Sequence, residues 1–162
     1  MAGKRILVVG GGRGIGQYVT EYLIKRHHAR VVILSQDVSE DVQQLAEENQ
    51  LAIVQGDATN AQIQKQTLEK VSSFLGGLDS LVLTIGVIGE IETIARLDLE
   101  RFRRTLAINL LAPVELVSKQ RPPGDICTLH QGARSADNAL KISHGYSRSP
   151  RKFTFQCQVD MD

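Results

Sequence analysis

Three glycines with the spacing GxxxGxG, Gly10, Gly14 and Gly16, follow a short apolar run near the start of the chain. A pyrophosphate needs a tight turn at the end of a strand, backbone N–H groups at close range and the positive end of a helix. The three glycines can supply all of these, and Gly11 and Gly12 add conformational freedom to the turn. The loop therefore predicts a site for the pyrophosphate of NAD or NADP, with a purely structural glycine turn as the alternative.

The residues on either side of this loop predict the strand and the helix that such a site requires. Arg5–Val9 is rich in Ile, Leu and Val, which is typical of a strand buried on both faces of a parallel sheet. Over residues 15–26 apolar side chains recur at helical spacing, at Ile15, Val19, Tyr22 and Leu23. Strand, glycine turn and amphipathic helix thus come in the order that a dinucleotide site needs.

Strand and helix patterns continue to alternate along the chain. Further strands are predicted at residues 30–34, 51–55 and 78–85, and helices at residues 61–75 and 99–119, with a kink or restart at Pro113. The helix between the second and third strands is predicted to start at Asp37, capped by its carboxylate while Glu40 reaches back. The alternation predicts an α/β fold, a doubly wound, Rossmann-like parallel sheet that is incomplete on its C-terminal side.

Composition excludes several classes of partner. The 162 residues suit one domain, and 19 basic against 18 acidic residues give a net charge of +1, too small a field to attract nucleic acid or an anionic membrane. No apolar run approaches the roughly 20 residues of a membrane span, and no signal peptide is recognisable. Cys127 and Cys157 lack metal-ligand spacing, so no metal site is predicted. A small-molecule partner and a cytoplasmic location are expected.

The glycine loop, with the sequence GGGRGIG, resembles that of the short-chain dehydrogenase/reductase family. The resemblance implies that Gly12, Arg13 and Ile15 also belong to the cofactor site. Asp57, in the stretch Gly-Asp-Ala-Thr after the third predicted strand, resembles the family's aspartate that contacts the adenine ring, and Ala58 follows it. A turn or helix-cap carboxylate is the alternative for Asp57.

Two further positions match the family in order. After the fourth predicted strand, Leu-Thr-Ile-Gly takes the place of the family's Asn-Asn-Ala-Gly, which borders the nicotinamide, and only Gly86 is retained. Asn109 resembles the family's helix asparagine, which keeps a backbone irregularity and a proton-relay water in place. A buried structural asparagine is the alternative. Relatives often pair through this helix and the next one, of which only the first is clearly present here, so the oligomeric state stays open, with a homo-oligomer as one alternative.

The end of the second strand bears on the choice of cofactor. An acidic residue there hydrogen-bonds the ribose 2′-hydroxyl of NAD and repels the 2′-phosphate of NADP. Ser35 and Gln36 occupy this place, and Arg13 stands where NADP-using relatives often carry a basic residue that can pair with the phosphate. NADP is therefore favoured over NAD. Asp37 would reverse this preference if the strand ended later.

Residues 120–162 differ in character from the Rossmann-like part, residues 1–119. The family uses a tyrosine, a lysine four residues later and a serine thirteen residues earlier for proton transfer. Tyr146 resembles that tyrosine, but Pro150 stands at the lysine position and Ala133 at the serine position. One further strand is predicted at residues 124–130, followed by irregular chain, and a truncated or frame-shifted product would explain this pattern.

These observations favour an NAD(P)-dependent oxidoreductase of the short-chain type that acts on an alcohol or carbonyl. Asn109 and Tyr146 are its candidate catalytic residues. The broken tyrosine–lysine spacing leaves the competence of this chain open. A non-catalytic NAD(P)-binding protein and an inactive truncated fragment are the alternatives.

Overall fold

The computed structural model describes residues 3–46, 49–89 and 91–120, and the backbone of three short strands beyond them. The strands are β1 (Arg5–Val9), β2 (Arg30–Ser35), β3 (Leu51–Gln55), β4 (Ser80–Leu83), β5 (Ile126–Thr128), β6 (Leu140–Lys141) and β7 (Gln158–Val159). The helices are α1 (Gly14–His27), α2 (Glu40–Leu45), α3 (Ala61–Lys70), α4 (Leu99–Leu106) and α5 (Ala112–Gln120). One π-helical turn, Val71–Leu75, follows α3, and another, Ala107–Leu111, joins α4 to α5; a 3-10 turn lies at Ile94–Arg96.

The main sheet is parallel and has the strand order β3-β2-β1-β4-β5. Leu7 of β1 lies opposite Val32 of β2 on one side and Leu81 of β4 on the other. The chain thus builds outward from β1 to β3 and then crosses to the opposite side of β1. This confirms the predicted doubly wound sheet, and it places the reversal of strand order between β1 and β4, where ligands bind in such sheets. The pair β6–β7 forms a separate antiparallel ladder, which the sequence did not predict.

Two apolar clusters fill the two faces of the sheet. Alternate residues of each inner strand belong to different clusters, as Leu7 and Val8 of β1 do. One cluster joins the sheet to α1 and α2 through Leu23 and Val42, and the other joins it to α5 through Leu116. Both faces of the inner strands are therefore buried, which is why these strands are continuous apolar runs.

The start of α2 differs from the prediction. Ser39, not Asp37, caps this helix, and its hydroxyl accepts a hydrogen bond from Val42 N. The backbone first makes a turn after β2, in which Ser35 Oγ donates to Asp37 O at 2.8 Å. Ser39 N donates to Gly12 O at 3.0 Å. These contacts engage the Asp37 segment with the glycine loop, so the cap of the helix lies two residues later than predicted.

The amphipathic pattern over α1 correctly predicted a helix, but it predicted only part of the buried face correctly. Val19 and Leu23 are buried as predicted, whereas Ile15 and Tyr22 are exposed. The predicted restart at Pro113 is confirmed, since α4 ends at Leu106 and α5 begins at Ala112 after the π-helical turn. Within the ranges that the structure describes, no helix combines the length and apolarity that crossing a membrane demands.

An ion pair links the start of β1 to the residue before β4, at the end of the sheet opposite the strands' carboxyl ends. Arg5 Nη2 donates to Asp79 Oδ1 at 2.6 Å, and Arg5 N and Nε donate to Oδ2 at 2.9 and 3.1 Å. The Arg5 guanidinium and backbone N–H hold the pKa of Asp79 at about 2. Asp79 therefore links two adjacent strands as a carboxylate.

We expect Asp79→Asn to lower the free energy of unfolding by about 1 to 2 kcal/mol at neutral pH, since hydrogen bonds to a charged group are lost. Because the pKa of Asp79 is depressed in the folded protein, its contribution is complete above the pKa of the unfolded chain and is lost as the pH falls from about 4 to about 2. Urea unfolding at pH 7 and at several acidic pH values measures the difference between wild type and variant.

Glu69→Gln is the matched control for this prediction. Glu69 Oε1 lies 3.9 Å from Lys65 Nζ, and both side chains are exposed. Its removal should change the free energy of unfolding by less than about 0.5 kcal/mol. A difference between wild type and Asp79→Asn that stays constant from pH 7 to pH 2 would contradict the role assigned to the Asp79 carboxylate.

Candidate cofactor site

A groove opens at the carboxyl ends of β1 to β4, beside the reversal of strand order. Most of the predicted cofactor residues line it: Gly10, Arg13, Ile15, Gly16, Ser35, Gln36, Asp57, Ala58 and Gly86. The groove is also lined by residues that were not predicted from the sequence: Leu34, Gly56, Thr59, Thr84, Ile85, Val87 and Ile108. Asp37, weighed for cofactor choice, lines it as well. The parallel sheet thus brings together segments that are far apart in sequence, because its strands all end at one edge.

Several positions in the loop require glycine because the loop packs closely against neighbouring atoms of the chain. A Cβ on Gly16 would lie 1.9 Å from Gly10 O, and one on Gly12 would lie 2.1 Å from Asp37 O. Gly10 has a φ of +91°, and a Cβ there would lie 2.5 Å from Thr84 Oγ1. These glycines let the turn fold back tightly between β1, the β2–α2 connection and α1. Gly12 serves this packing and does not itself line the groove.

Gly14 differs from the other glycines of the loop. It has a φ of +54°, and a Cβ there would meet no protein atom within 4 Å. It is exposed and is the first residue of α1. The turn is therefore open at Gly14, which does not itself line the groove but stands between the lining residues Arg13 and Ile15.

Two buried threonines that were not predicted as site residues fix the glycine loop. Thr20 Oγ1 lies 2.9 Å from Gly16 O and 3.2 Å from Gly11 O. Thr84 Oγ1 donates to Val9 O at 2.8 Å, where β1 ends. The position of Thr20, four residues after Gly16 on α1, was a usable signal, because threonine in a helix commonly bonds to the carbonyl four residues earlier.

The start of α1 is the feature of the site best suited to an anion. Ser39, Asn60 and Asp98 cap α2, α3 and α4 with side-chain oxygens. In contrast, Arg13 precedes α1, and within the described chain no side chain caps this helix and no acidic residue lies in its first turn. A helix of 14 residues thus presents its positive end and its first N–H groups to the groove. A pyrophosphate fits these donors.

The corner of the groove beyond β2 holds both candidate determinants of cofactor choice. Arg13 Nη1 lies 3.2 Å from Asp37 Oδ2, and both side chains are largely exposed. Ser35 is buried and is engaged with Asp37 O, while Gln36 O accepts a hydrogen bond from Gln55 Nε2 at 2.9 Å. The basic and the acidic group are therefore paired with each other at this corner.

Asp57 lines the groove just after β3, the strand next to β2. Its Oδ1 accepts hydrogen bonds from Thr59 N at 2.9 Å and Thr59 Oγ1 at 2.8 Å, and its Oδ2 lies 3.2 Å from Arg104 Nη2. Burial opposes its ionisation, but the bonds from Thr59 and Arg104 outweigh burial and lower the pKa of Asp57. The turn contact considered as the alternative is present, whereas Asn60 caps the following helix. An adenine contact by Asp57 stays a prediction.

Asn109 shapes the far end of the groove through the backbone of Val87. Asn109 Oδ1 accepts from Val87 N at 2.9 Å, and Asn109 Nδ2 donates to Val87 O at 2.8 Å. Asn109 lies in the π-helical turn Ala107–Leu111, which is a backbone irregularity of the expected kind. It is exposed rather than buried, but its bonds to the Val87 backbone are structural, as the alternative supposed, so a catalytic role of Asn109 stays a prediction. Gly86, beside Val87, lines the groove.

Tyr146, the other candidate catalytic residue, lies outside the described residues, as do Ala133 and Pro150. The described site therefore consists of the cofactor residues and Asn109. Catalysis by Tyr146 stays a prediction.

A comparison with protein-family models finds the family described as short chain dehydrogenase over residues 4–123. The chain belongs to this family. The match includes the glycine loop, Asp57, Gly86 and Asn109, so the resemblance drawn from these residues is confirmed at the level of the family.

Curated oxidoreductases are similar in sequence to this chain. An uncharacterized oxidoreductase of Schizosaccharomyces pombe is 32% identical over 123 residues, which are 75% of this chain and 48% of that protein. A short chain dehydrogenase/reductase of Colletotrichum higginsianum is 30% identical over 148 residues, which are 84% of this chain and 55% of that protein. This short chain dehydrogenase thus spans about half the length of the curated relatives that it matches.

Solved structures of the family superpose on this short chain dehydrogenase. One from Saccharomyces cerevisiae has a TM-score of 0.70 and 25% identity, covering 78% of this chain and 53% of that one. One from Caenorhabditis elegans, of unknown function and solved with cofactor, has a TM-score of 0.69 and 25% identity, covering 78% and 52%. These neighbours confirm the Rossmann-like fold.

Proposed function

We propose that this chain binds a nicotinamide dinucleotide, NADP in preference to NAD, and belongs to an oxidoreductase that acts on an alcohol or carbonyl. The observation that carries the proposal is the uncapped start of α1, which faces the groove from within the glycine loop. Membership of the short chain dehydrogenase family and a structural neighbour solved with cofactor support it.

Each wall of the groove has a part in this proposal. The first N–H groups of α1, reached across Gly14, hold the pyrophosphate. Asp57 and Ala58 face the adenine, and the corner formed by Arg13, Ser35, Gln36 and Asp37 receives the adenosine ribose. Gly86 and Val87 border the nicotinamide, and Asn109 fixes their backbone. The nicotinamide, when bound, supplies or accepts the hydride.

A second candidate function is a nucleotide-binding protein without hydride transfer. It is favoured by the sequence around Tyr146, where Pro150 replaces a lysine that would lower the tyrosine's pKa. The two functions share the cofactor site and differ only in turnover.

Titration of the chain with NADPH and NADH, followed by assays of NADPH oxidation with a panel of carbonyl compounds, tests these proposals. We expect both cofactors to bind, NADPH more tightly. Turnover that Tyr146→Phe abolishes would establish the oxidoreductase, and binding without turnover would establish the nucleotide-binding alternative. A chain that binds neither cofactor would contradict both and leave the inactive fragment.

Self-association is part of the proposal. Large apolar side chains are exposed along α4, the following π-helical turn and the start of α5: Leu99, Phe102, Leu106, Leu110, Leu111 and Val114. Surfaces of this kind are typical of protein interfaces. We retain a small-molecule substrate, no nucleic-acid or membrane partner and a cytoplasmic location as predictions from the sequence.

A further inference from the structure

A buried glutamine lies behind the adenine wall of the groove. Gln64, on α3, has no exposed surface, although the pattern of this helix predicted an apolar face. A buried amide is costly unless its donors and acceptor are satisfied. The hydrogen-bond partners of Gln64 therefore indicate its structural role.

Gln64 connects the cofactor wall to α5. Its Nε2 donates to Ala58 O at 2.9 Å and to Glu115 Oε2 at 2.9 Å. Its Oε1 accepts from Lys119 Nζ at 2.5 Å. Ala58 lines the groove beside Asp57, whereas Glu115 and Lys119 lie one turn apart on α5. One side chain thus fixes the backbone of the groove to a helix that is remote in sequence.

Gln64 is one of several contacts that hold this segment: Gly56 N donates to Ser35 O at 2.9 Å, and Asn60 N donates to Asp57 O at 3.0 Å. Asp57 is bonded to Thr59 within its own turn and to Arg104 of α4. Without Gln64, Ala58 O would lose its bond to the α3 side chain, whereas the Asp57 carboxylate would keep its bonds to Thr59 and Arg104. Gln64 therefore adds the hydrogen bond that fixes the Ala58 carbonyl, next to Asp57, relative to α3 and α5.

We propose that Gln64 is a positioning residue that fixes Asp57 and Ala58 and thereby sets the preference of the site for adenine. This inference rests on the proposed cofactor function. Hypoxanthine carries an acceptor oxygen where adenine carries an amino group. A correctly placed Asp57 carboxylate favours the amino donor and repels the oxygen, so the hypoxanthine analogue of NADPH is a probe of this wall.

The experiment compares the affinities of the folded chain for NADPH and for its hypoxanthine analogue by calorimetric titration. We expect the wild type to bind NADPH about tenfold more tightly than the analogue, which corresponds to about one hydrogen bond. Gln64→Leu should reduce this ratio to about threefold or less. A general destabilisation of the fold would weaken the binding of both ligands equally and leave the ratio of their affinities unchanged.

Thr67→Val is the matched control. Thr67 is also fully buried on α3, but its hydroxyl donates to Ile63 O within the same helix, at 2.8 Å. The substitution removes a buried polar group of similar position without touching Ala58, and should keep the wild-type ratio. Equal loss of the ratio in Thr67→Val would overturn the inference.

Glu115→Leu provides a second variant in case Gln64→Leu does not fold. Glu115 is half exposed, and its loss leaves the bond from Gln64 to Ala58 while removing one anchor of the amide. We expect a smaller fall of the ratio in the same direction. An unchanged ratio in every folded variant, or a wild type that binds both ligands equally, would overturn the inference alone. A wild type that binds neither ligand would overturn the proposed function and this inference with it.

Discussion

Gly16→Ala is expected to abolish measurable binding of NADPH and to lower the free energy of unfolding by about 3 kcal/mol, the upper range for an overpacked interior. A Cβ at this position would lie 1.9 Å from Gly10 O, a backbone atom that cannot rotate away. The start of α1 would have to move out of the groove, and with it the N–H groups proposed to hold the pyrophosphate. Urea unfolding and calorimetric titration measure the two effects.

Gly14→Ala separates ligand binding from packing. Its Cβ would meet no protein atom within 4 Å, so only the strain of an alanine at a φ of +54° acts on the fold. That strain costs about 1 to 2 kcal/mol. We expect binding of NADPH to weaken at least about tenfold even so, because the methyl group occupies the ligand's line of approach. Undiminished affinity in Gly14→Ala would contradict the placement of the pyrophosphate.

The second large effect is on the choice of cofactor. We expect Asp37→Ala to raise the ratio of NADPH to NADH affinity about tenfold, and Arg13→Ala to lower it by at least as much. In the wild type the two side chains neutralise each other at 3.2 Å. Removing Asp37 frees the guanidinium for the 2′-phosphate, whereas removing Arg13 leaves a carboxylate that accepts from a 2′-hydroxyl and repels the phosphate.

Stability provides the internal control for this pair. Both side chains are exposed, so neither substitution should change the free energy of unfolding by more than about 1 kcal/mol. The double variant lacks both charges, and its preference between NADPH and NADH should be weaker than that of either single variant. If the ratio of affinities in Arg13→Ala equalled that of the wild type, Arg13 would not be the determinant of NADP preference.

Much of the fold could be predicted from local patterns. β1 and β3 have the predicted bounds, β2 ends one residue later than predicted, and α1 is one residue longer at each end. Apolar runs and helical periodicity are local properties, and burial on both sheet faces strengthens them. The start of α2 was misjudged because Asp37 has the composition of a cap, while its position is set by contacts with Ser35 and the glycine loop.

The cofactor residues were predictable to the extent that they belong to continuous motifs. The glycine loop and the segment at Asp57 each follow a strand, and parallel strands end at the same edge. Contacts between distant segments left no such signal. Arg104 and Gln64 are ordinary polar residues within helical patterns, and their partners lie on other elements.

The sequence by itself determined the alternation of strands and helices, the glycine loop and the family, because each depends on residue types at short, fixed spacings. The tertiary structure alone decided that α1 starts uncapped at the groove, that Arg13 and Asp37 neutralise each other, and that Gln64 joins Ala58 to α5. These are pairings across the fold. They depend on where each chain segment is placed by the packing of helices on the sheet, which no local pattern specifies.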